Sequence, residues 1–117
     1  MILNKIQEIE TYIQEIENAK TISIDSETVS LSDKTMIGFS YAFLVKGKVK
    51  RYYIPVAHTQ IKNLAKSKVR KLLHTLTKHQ NLVFHNYSFD AQVLFQAGYR
   101  VKSIPHDSLI IAHLLDE

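Results

Sequence analysis

Asp25 and Glu27 are the first side chains in this sequence whose types and spacing could do chemistry. They lie in Thr21-Ile22-Ser23-Ile24-Asp25-Ser26-Glu27-Thr28, where Ile22 and Ile24 alternate with Thr21 and Ser23 as in a half-buried strand. Successive side chains of a strand point to opposite faces, so the two carboxylates emerge together, on the face away from Ile22 and Ile24. Two anions held side by side raise each other's pKa unless a cation lies between them. A hard cation with oxygen ligands, Mg²⁺ or Mn²⁺, is the natural occupant. The same pair also fits two solvated acids at a strand end, so the rest of the chain must decide.

A third carboxylate, Asp90, follows the apolar run Leu82-Val83-Phe84 within His85-Asn86-Tyr87-Ser88-Phe89-Asp90. That order predicts a short buried strand entering a helix, with Ser88 as N-cap, Asp90 in the first turn and Gly98 as the stop. Sites in α/β sheets assemble at strand ends along one edge. If the strand before Asp90 runs parallel beside the Asp25 strand, Asp90 approaches Asp25 and Glu27.

The remaining elements must hold these ends in place. Ile2, Ile6, Ile9, Ile13 and Ile16 recur at spacings of four and three, predicting an amphipathic helix over roughly 2–18. Residues 1–19 are therefore read as an N-terminal helix and residues 20–117 as the domain proper. Residues 28–34 read as a polar turn. Met36–Val45 and Val49–Val56 read as strands joined through Gly47. Apolar positions from Ile61 to Leu76 predict a Lys-rich helix, Tyr99–Ile104 a fifth strand, and Leu109–Leu115 a last helix opened by Asp107 or Ser108. The expectation is an α/β fold: a mixed five-stranded sheet, an antiparallel meander of three strands followed by parallel strands, flanked by helices.

Composition narrows the function classes. At 117 residues and 45% hydrophobic the chain can bury one core. It has no Cys, hence no disulfide or thiolate ligand, and no apolar run able to span a bilayer. Met-Ile-Leu-Asn-Lys does not resemble a signal peptide, so a cytoplasmic protein without membrane partners is expected. From Lys34 to Phe89 there are eleven Lys or Arg and no Asp or Glu, within a net charge of +4. Acidic spots beside a long basic tract suit a polyanion whose phosphates are also handled by metal, although such tracts are commonly solvated faces. Lys66 to Lys71 could follow a nucleic-acid backbone or simply face water. His58, His74, His79, His85, His106 and His113 have no paired ligand spacing and are read as surface or hydrogen-bonded residues. Tyr52, Tyr53 and Phe39 are assigned to sheet packing, and Asp107 to a helix N-terminus.

Several segments then resemble one family. Asp25-Ser26-Glu27-Thr28-Val29-Ser30-Leu31 resembles the first exonuclease motif of family A DNA polymerases, Asp-Thr-Glu-Thr-x-x-Leu. Asn86-x-x-Phe89-Asp90 is similar to their second, Asn-x-x-Tyr/Phe-Asp. Ile37-Gly38-Phe39-Ser40-Tyr41-Ala42, Tyr53-Ile54-Pro55-Val56-Ala57-His58 and Asp107-Ser108-Leu109 resemble intervening and following segments of the DNA polymerase I type, within the DEDD exonucleases. The resemblance covers about residues 20–116. It implies a ribonuclease H-like fold that removes nucleotides from a DNA 3′ end, with two divalent ions, Mg²⁺ or Mn²⁺, clamping the scissile phosphate. It assigns metal binding and catalysis to Asp25, Glu27 and Asp90. It places Leu31 against the terminal base, Thr28 and Asn86 at the terminal nucleotide or in support of the site, and Phe89 in packing beside it. Ser26 stands where the family usually has Thr, and His85 where Gln is common.

The family's third motif, Tyr-x-x-x-Asp or His-x-x-x-x-Asp, has no counterpart before Glu117. The resemblance therefore implies an exonuclease domain incomplete on its C-terminal side, weak or inactive alone, belonging with a polymerase domain and acting on a single-stranded DNA 3′ end. Two other readings remain: a non-catalytic nucleic-acid-binding remnant, and a ribonuclease D-type enzyme trimming RNA with the same carboxylates.

Overall fold

The computed structural model describes residues 1–3, 8–103 and 105–107. The elements run α1 (Ile9–Asn18), β1 (Ile22–Thr28), β2 (Met36–Val45), β3 (Lys48–Pro55), α2 (Lys66–Lys78), β4 (Leu82–Phe84), α3 (Tyr87–Gln96) and β5 (His106–Asp107). The sheet order is β3-β2-β1-β4-β5. β1, β2 and β3 form the antiparallel meander, whereas β4 joins β1 in parallel and β5 joins β4 in parallel. The four longer strands carry the mixed sheet, and β5 is a two-residue stub at its edge. This is the mixed α/β arrangement of a ribonuclease H-like fold.

The hairpin turn has a simple cause. Lys46 and Gly47 both have positive φ, 51° and 77°, as a two-residue turn matched to the strand twist requires. Gly47 supplies that conformation without a Cβ penalty.

Alternation along the strands separates two faces. Ile22, Ile24, Phe39, Tyr41, Phe43, Tyr52 and Ile54 are buried on one, against Ile9 and Ile16 of α1, Leu72, Leu73 and Leu76 of α2, and Val93 and Leu94 of α3. Ser23, Asp25 and Glu27 lie on the other and are exposed. Pairing aligns Asp25, Ser40 and Tyr53 in one cross-strand row and Glu27, Gly38 and Pro55 in the next.

Four expectations are corrected. The helix expected over 2–18 is observed from Ile9, while residues 1–3 pair with the β3 edge. The Tyr53 N–H donates to the Met1 carbonyl and the Leu3 N–H to the Tyr53 carbonyl, both at 2.8 Å. An edge strand offers unpaired backbone groups, and the first residues satisfy them. The helix expected from Ile61 begins at Lys66, because the Leu64 N–H closes a loop onto the Pro55 carbonyl at 2.9 Å. Asn86, not Ser88, caps α3, accepting from the Phe89 N–H. No strand forms over residues 99–103, and the fifth strand is His106–Asp107 instead. The Tyr99 N–H bonds the Leu94 carbonyl, the Lys102 N–H the Thr77 carbonyl and the Ser103 hydroxyl the His79 carbonyl. This segment is thus spent on the C-terminal ends of α3 and α2. The helix expected over 109–115 lies outside the described residues.

Candidate active site at the ends of β1 and β4

Parallel pairing brings the C-terminal ends of β1 and β4 to the same edge of the sheet. The β1 amides of alternate residues face β4: the Ile22 N–H donates to the Asn81 carbonyl at 3.0 Å, and those of Ile24 and Ser26 follow by the strand's period of two. β4 stops at Phe84, level with Ile24, which leaves the Ser26 N–H beyond the ladder. A donor shielded from water, as this half-buried one is, needs a partner. Asp90 provides it: its carboxylate accepts from the Ser26 N–H at 3.3 Å and from the Ser26 hydroxyl in a very short contact. Asp90 is 2% exposed, in the first turn of α3, where the helix dipole favours a negative charge.

The helix itself is firmly ended. The Asn86 side chain caps its start. At its end the Tyr99 N–H reaches the Leu94 carbonyl at 2.8 Å and the Gly98 N–H the Phe95 carbonyl at 3.0 Å. Gly98 has φ +98°, so this is a Schellman stop.

The three carboxylates thus meet different surroundings. Asp90 lies beside Ser26, the residue between the other two. Asp25 is exposed on the open face, across from Ser40. Glu27 is exposed on that same face, but its Oε2 accepts from the Tyr53 hydroxyl at 2.7 Å. Among the described residues no group of three His, Cys, Asp or Glu side chains is set to hold an ion. All three arrive at one end of the sheet, yet Asp90 turns to Ser26 and Glu27 turns to Tyr53. The donor chemistry suits a hard divalent cation, since every candidate ligand is a carboxylate oxygen.

The remaining predicted residues surround this edge. The Thr28 hydroxyl donates to the Ser30 carbonyl at 2.8 Å, shaping the turn after β1. Leu31 is 85% exposed on that turn. Asn86 is exposed apart from its capping bond, and Phe89 is half-buried with the Lys34 ammonium 5.9 Å from its ring centroid. The Asp107 backbone pairs with Phe84 in β5. A cleft of about 750 Å³ beside α3, lined by Lys34, Tyr87, Phe95, Tyr99 and Arg100 among others, includes none of the three carboxylates.

Sequence reasoning missed the reach of Tyr53 to Glu27, while His58, read as a surface or hydrogen-bonded residue, is hydrogen-bonded to the Tyr53 hydroxyl. Tyr52 and Phe39 are core residues as expected, but Tyr53 sits on the open face and bonds Glu27. Burial first, and then the Glu27 carboxylate, pushes its phenol above the usual tyrosine value. The one available signal was parity, since Tyr53 is out of phase with Tyr52 and Ile54 on β3.

The α/β sheet brings Asp25 and Glu27 of β1 and Asp90 of α3 to one end, and comparison with known proteins gives the family. The 3′-5′ exonuclease family matches residues 1–116, and this chain belongs to that family. It is 31% identical over 112 residues to DNA polymerase I of Borreliella burgdorferi, covering 93% of this chain and 12% of that protein. The chain therefore spans about an eighth of the length of this relative.

Proposed function

We propose that this domain hydrolyses the 3′-terminal phosphodiester of single-stranded DNA as the proofreading unit of a DNA polymerase I-like protein. The observation that carries the proposal is the fixed place of Asp90 at Ser26, between Asp25 and Glu27, in a chain of the 3′-5′ exonuclease family. Asp25, Glu27 and Asp90 would hold one or two divalent ions, Mg²⁺ or Mn²⁺. When bound, such ions polarise the phosphate and lower the pKa of water. The chain's own contribution is placement: β1 presents two carboxylates on a solvent-facing surface, and α3 delivers the third through a capped helix start. Leu31 and Thr28 on the turn after β1, with Asn86 and Phe89 at the start of α3, would meet the terminal nucleotide. The exposed cations Lys66, Arg70 and Lys71 of α2 support a polyanionic substrate. No helix among the described residues is long and apolar enough to cross a membrane. A place beside a polymerase domain in the cytoplasm, by analogy with the DNA polymerase I relative, belongs to the same proposal.

The test is cleavage of 5′-labelled single-stranded DNA and RNA of one sequence, with Mn²⁺, by a protein extended beyond residue 117 through the third motif. Stepwise shortening of DNA from its 3′ end, lost in Asp25→Ala, is expected. Preference for RNA would instead establish the ribonuclease D-type reading.

A further inference from the structure

We infer that Tyr53 is a positioning residue for Glu27, held in turn by His58 and admitted to the site by Gly38. This rests on the exonuclease reading only in what Glu27 is positioned for; the arrangement itself is geometric. Tyr53 stands one cross-strand row away from Glu27, and its ring leans over Gly38 to reach it. A Cβ at Gly38 would come within 2.0 Å of the Tyr53 hydroxyl oxygen and 2.5 Å of Cζ, contacts no side chain could tolerate. Gly38 is the clearance for the phenol, since any other residue there pushes Tyr53 off Glu27.

The direction of the bonds follows from donor counting. An ionised carboxylate only accepts, and a phenol has one proton to give. The Tyr53 hydroxyl donates to Glu27 Oε2 at 2.7 Å, so His58 Nε2, 2.5 Å from that same hydroxyl, must be the donor. His58 therefore carries its proton on Nε2, and its ring meets the Tyr53 ring edge-on at a centroid distance of 5.5 Å. The loop that carries His58 is closed at several points. The His58 N–H donates to Asn63 Oδ1 at 2.8 Å, and Asn63 Nδ2 donates to the His58 carbonyl at 3.0 Å. Upstream, the Ile37 carbonyl accepts from both the Val56 and Ala57 amides. The Val56 bond continues the β2–β3 ladder one step past the Gly38–Pro55 pair, and the Ala57 bond fastens the chain just before His58. A glutamate at an exposed strand end would otherwise sample several rotamers. Here a phenol, an imidazole and a braced loop select one.

The experiment uses the 117-residue chain labelled with ¹⁵N and ¹³C. Long-range ¹H–¹⁵N correlations are expected to show His58 protonated on Nε2 and bare on Nδ1. Tyr53→Phe should erase that preference and move the Glu27 Cδ signal, and Gly38→Ala should do the same. Tyr52→Phe, which removes a phenol on the opposite face, should leave both unchanged. Mn²⁺ titration followed by paramagnetic broadening then reads the consequence. Tyr53→Phe should weaken binding about tenfold, the scale of one hydrogen bond to a charged group. His58→Gln, which restores a donor, should recover more of it than His58→Ala. An unmoved Glu27 signal in Tyr53→Phe overturns the inference whether or not metal binds. Absence of Mn²⁺ binding in the unsubstituted chain, with the Glu27 signal still sensitive to Tyr53, would instead count against the exonuclease reading and leave the positioning role standing.

Discussion

Asp25 and Asp90 are the same residue type put to different physical use. Asp25 faces solvent, and the β1 strand stands without it; Asp90 is buried and satisfies the Ser26 amide that β4 leaves beyond the ladder. Stability and metal binding should therefore separate between them. Asp90→Ala strands the half-buried Ser26 N–H and hydroxyl, and should cost about 1–3 kcal/mol in urea unfolding. Asp25→Ala removes an exposed side chain and should stay within about 0.5 kcal/mol of the unsubstituted chain. Calorimetric titration with Mn²⁺ should show weak heats that disappear in Asp25→Ala despite its unchanged stability. Equal heats for the two proteins would mean that the ion is not held here. The placement of all three carboxylates at one end of the sheet could be read from the sequence, because their spacing follows strand alternation and a strand-to-helix step. The Tyr53–His58 pair could not, because it depends on the β2–β3 register and on the clearance at Gly38, neither visible until the strands are paired.

At the scale of elements, strand β2, between β3 and β1, carries an unusual cost in the core. Tyr41 is 1% exposed, and its hydroxyl has no hydrogen-bond partner among the described residues. Burial, with Tyr52, Glu15 and Tyr12 nearby, pushes its phenol far above the usual value. A phenol whose folded pKa is raised gives stability that is fully present below the unfolded pKa of about 10 and is lost as pH climbs towards the folded value. Unfolding free energy should therefore fall above pH 10, by up to about 1.4 kcal/mol per pH unit from this group. Tyr41→Phe should remove that share of the alkaline loss and be neutral, or stabilising by about 1 kcal/mol, at pH 7. Urea unfolding at pH 7 and 10.5 checks both, and a large loss at pH 7 would mean the hydroxyl is satisfied. The meander, the parallel entry of β4 and the stop of α3 at Gly98 were legible because turn glycines and apolar alternation act locally. The shorter α1, the later start of α2 and the missing 99–103 strand were not. Each was decided by backbone groups elsewhere that needed partners: the Tyr53 edge, the Pro55 carbonyl and the carbonyls of Thr77 and His79.

For the whole molecule, the question is how much of an exonuclease residues 1–117 make up. The sheet is assembled, the core is closed from α1 to α3, and Asp25, Glu27 and Asp90 arrive at one edge. Yet two of the three are engaged by Ser26 and Tyr53, and no three-ligand group stands ready among the described residues. Catalytic groups act only when held close to reacting geometry, and misplacing one by about 1 Å can cost on the order of a hundredfold in rate. The family resemblance calls for a further carboxylate with a Tyr or His to orient the attacking water, and residues 1–117 carry no such motif. The 117-residue chain is accordingly expected to show little or no exonuclease activity, and a chain extended through that motif to gain it by orders of magnitude. The comparison is made with 5′-labelled single-stranded DNA and Mn²⁺, both proteins at equal concentration, with Asp25→Ala in each as the control for contaminating nuclease. Robust cleavage by the short chain that vanishes in Asp25→Ala would refute this expectation. The missing ligand would then have to come from within the chain, and Asp107, on β5 beside the end of β4, would be the first residue to replace.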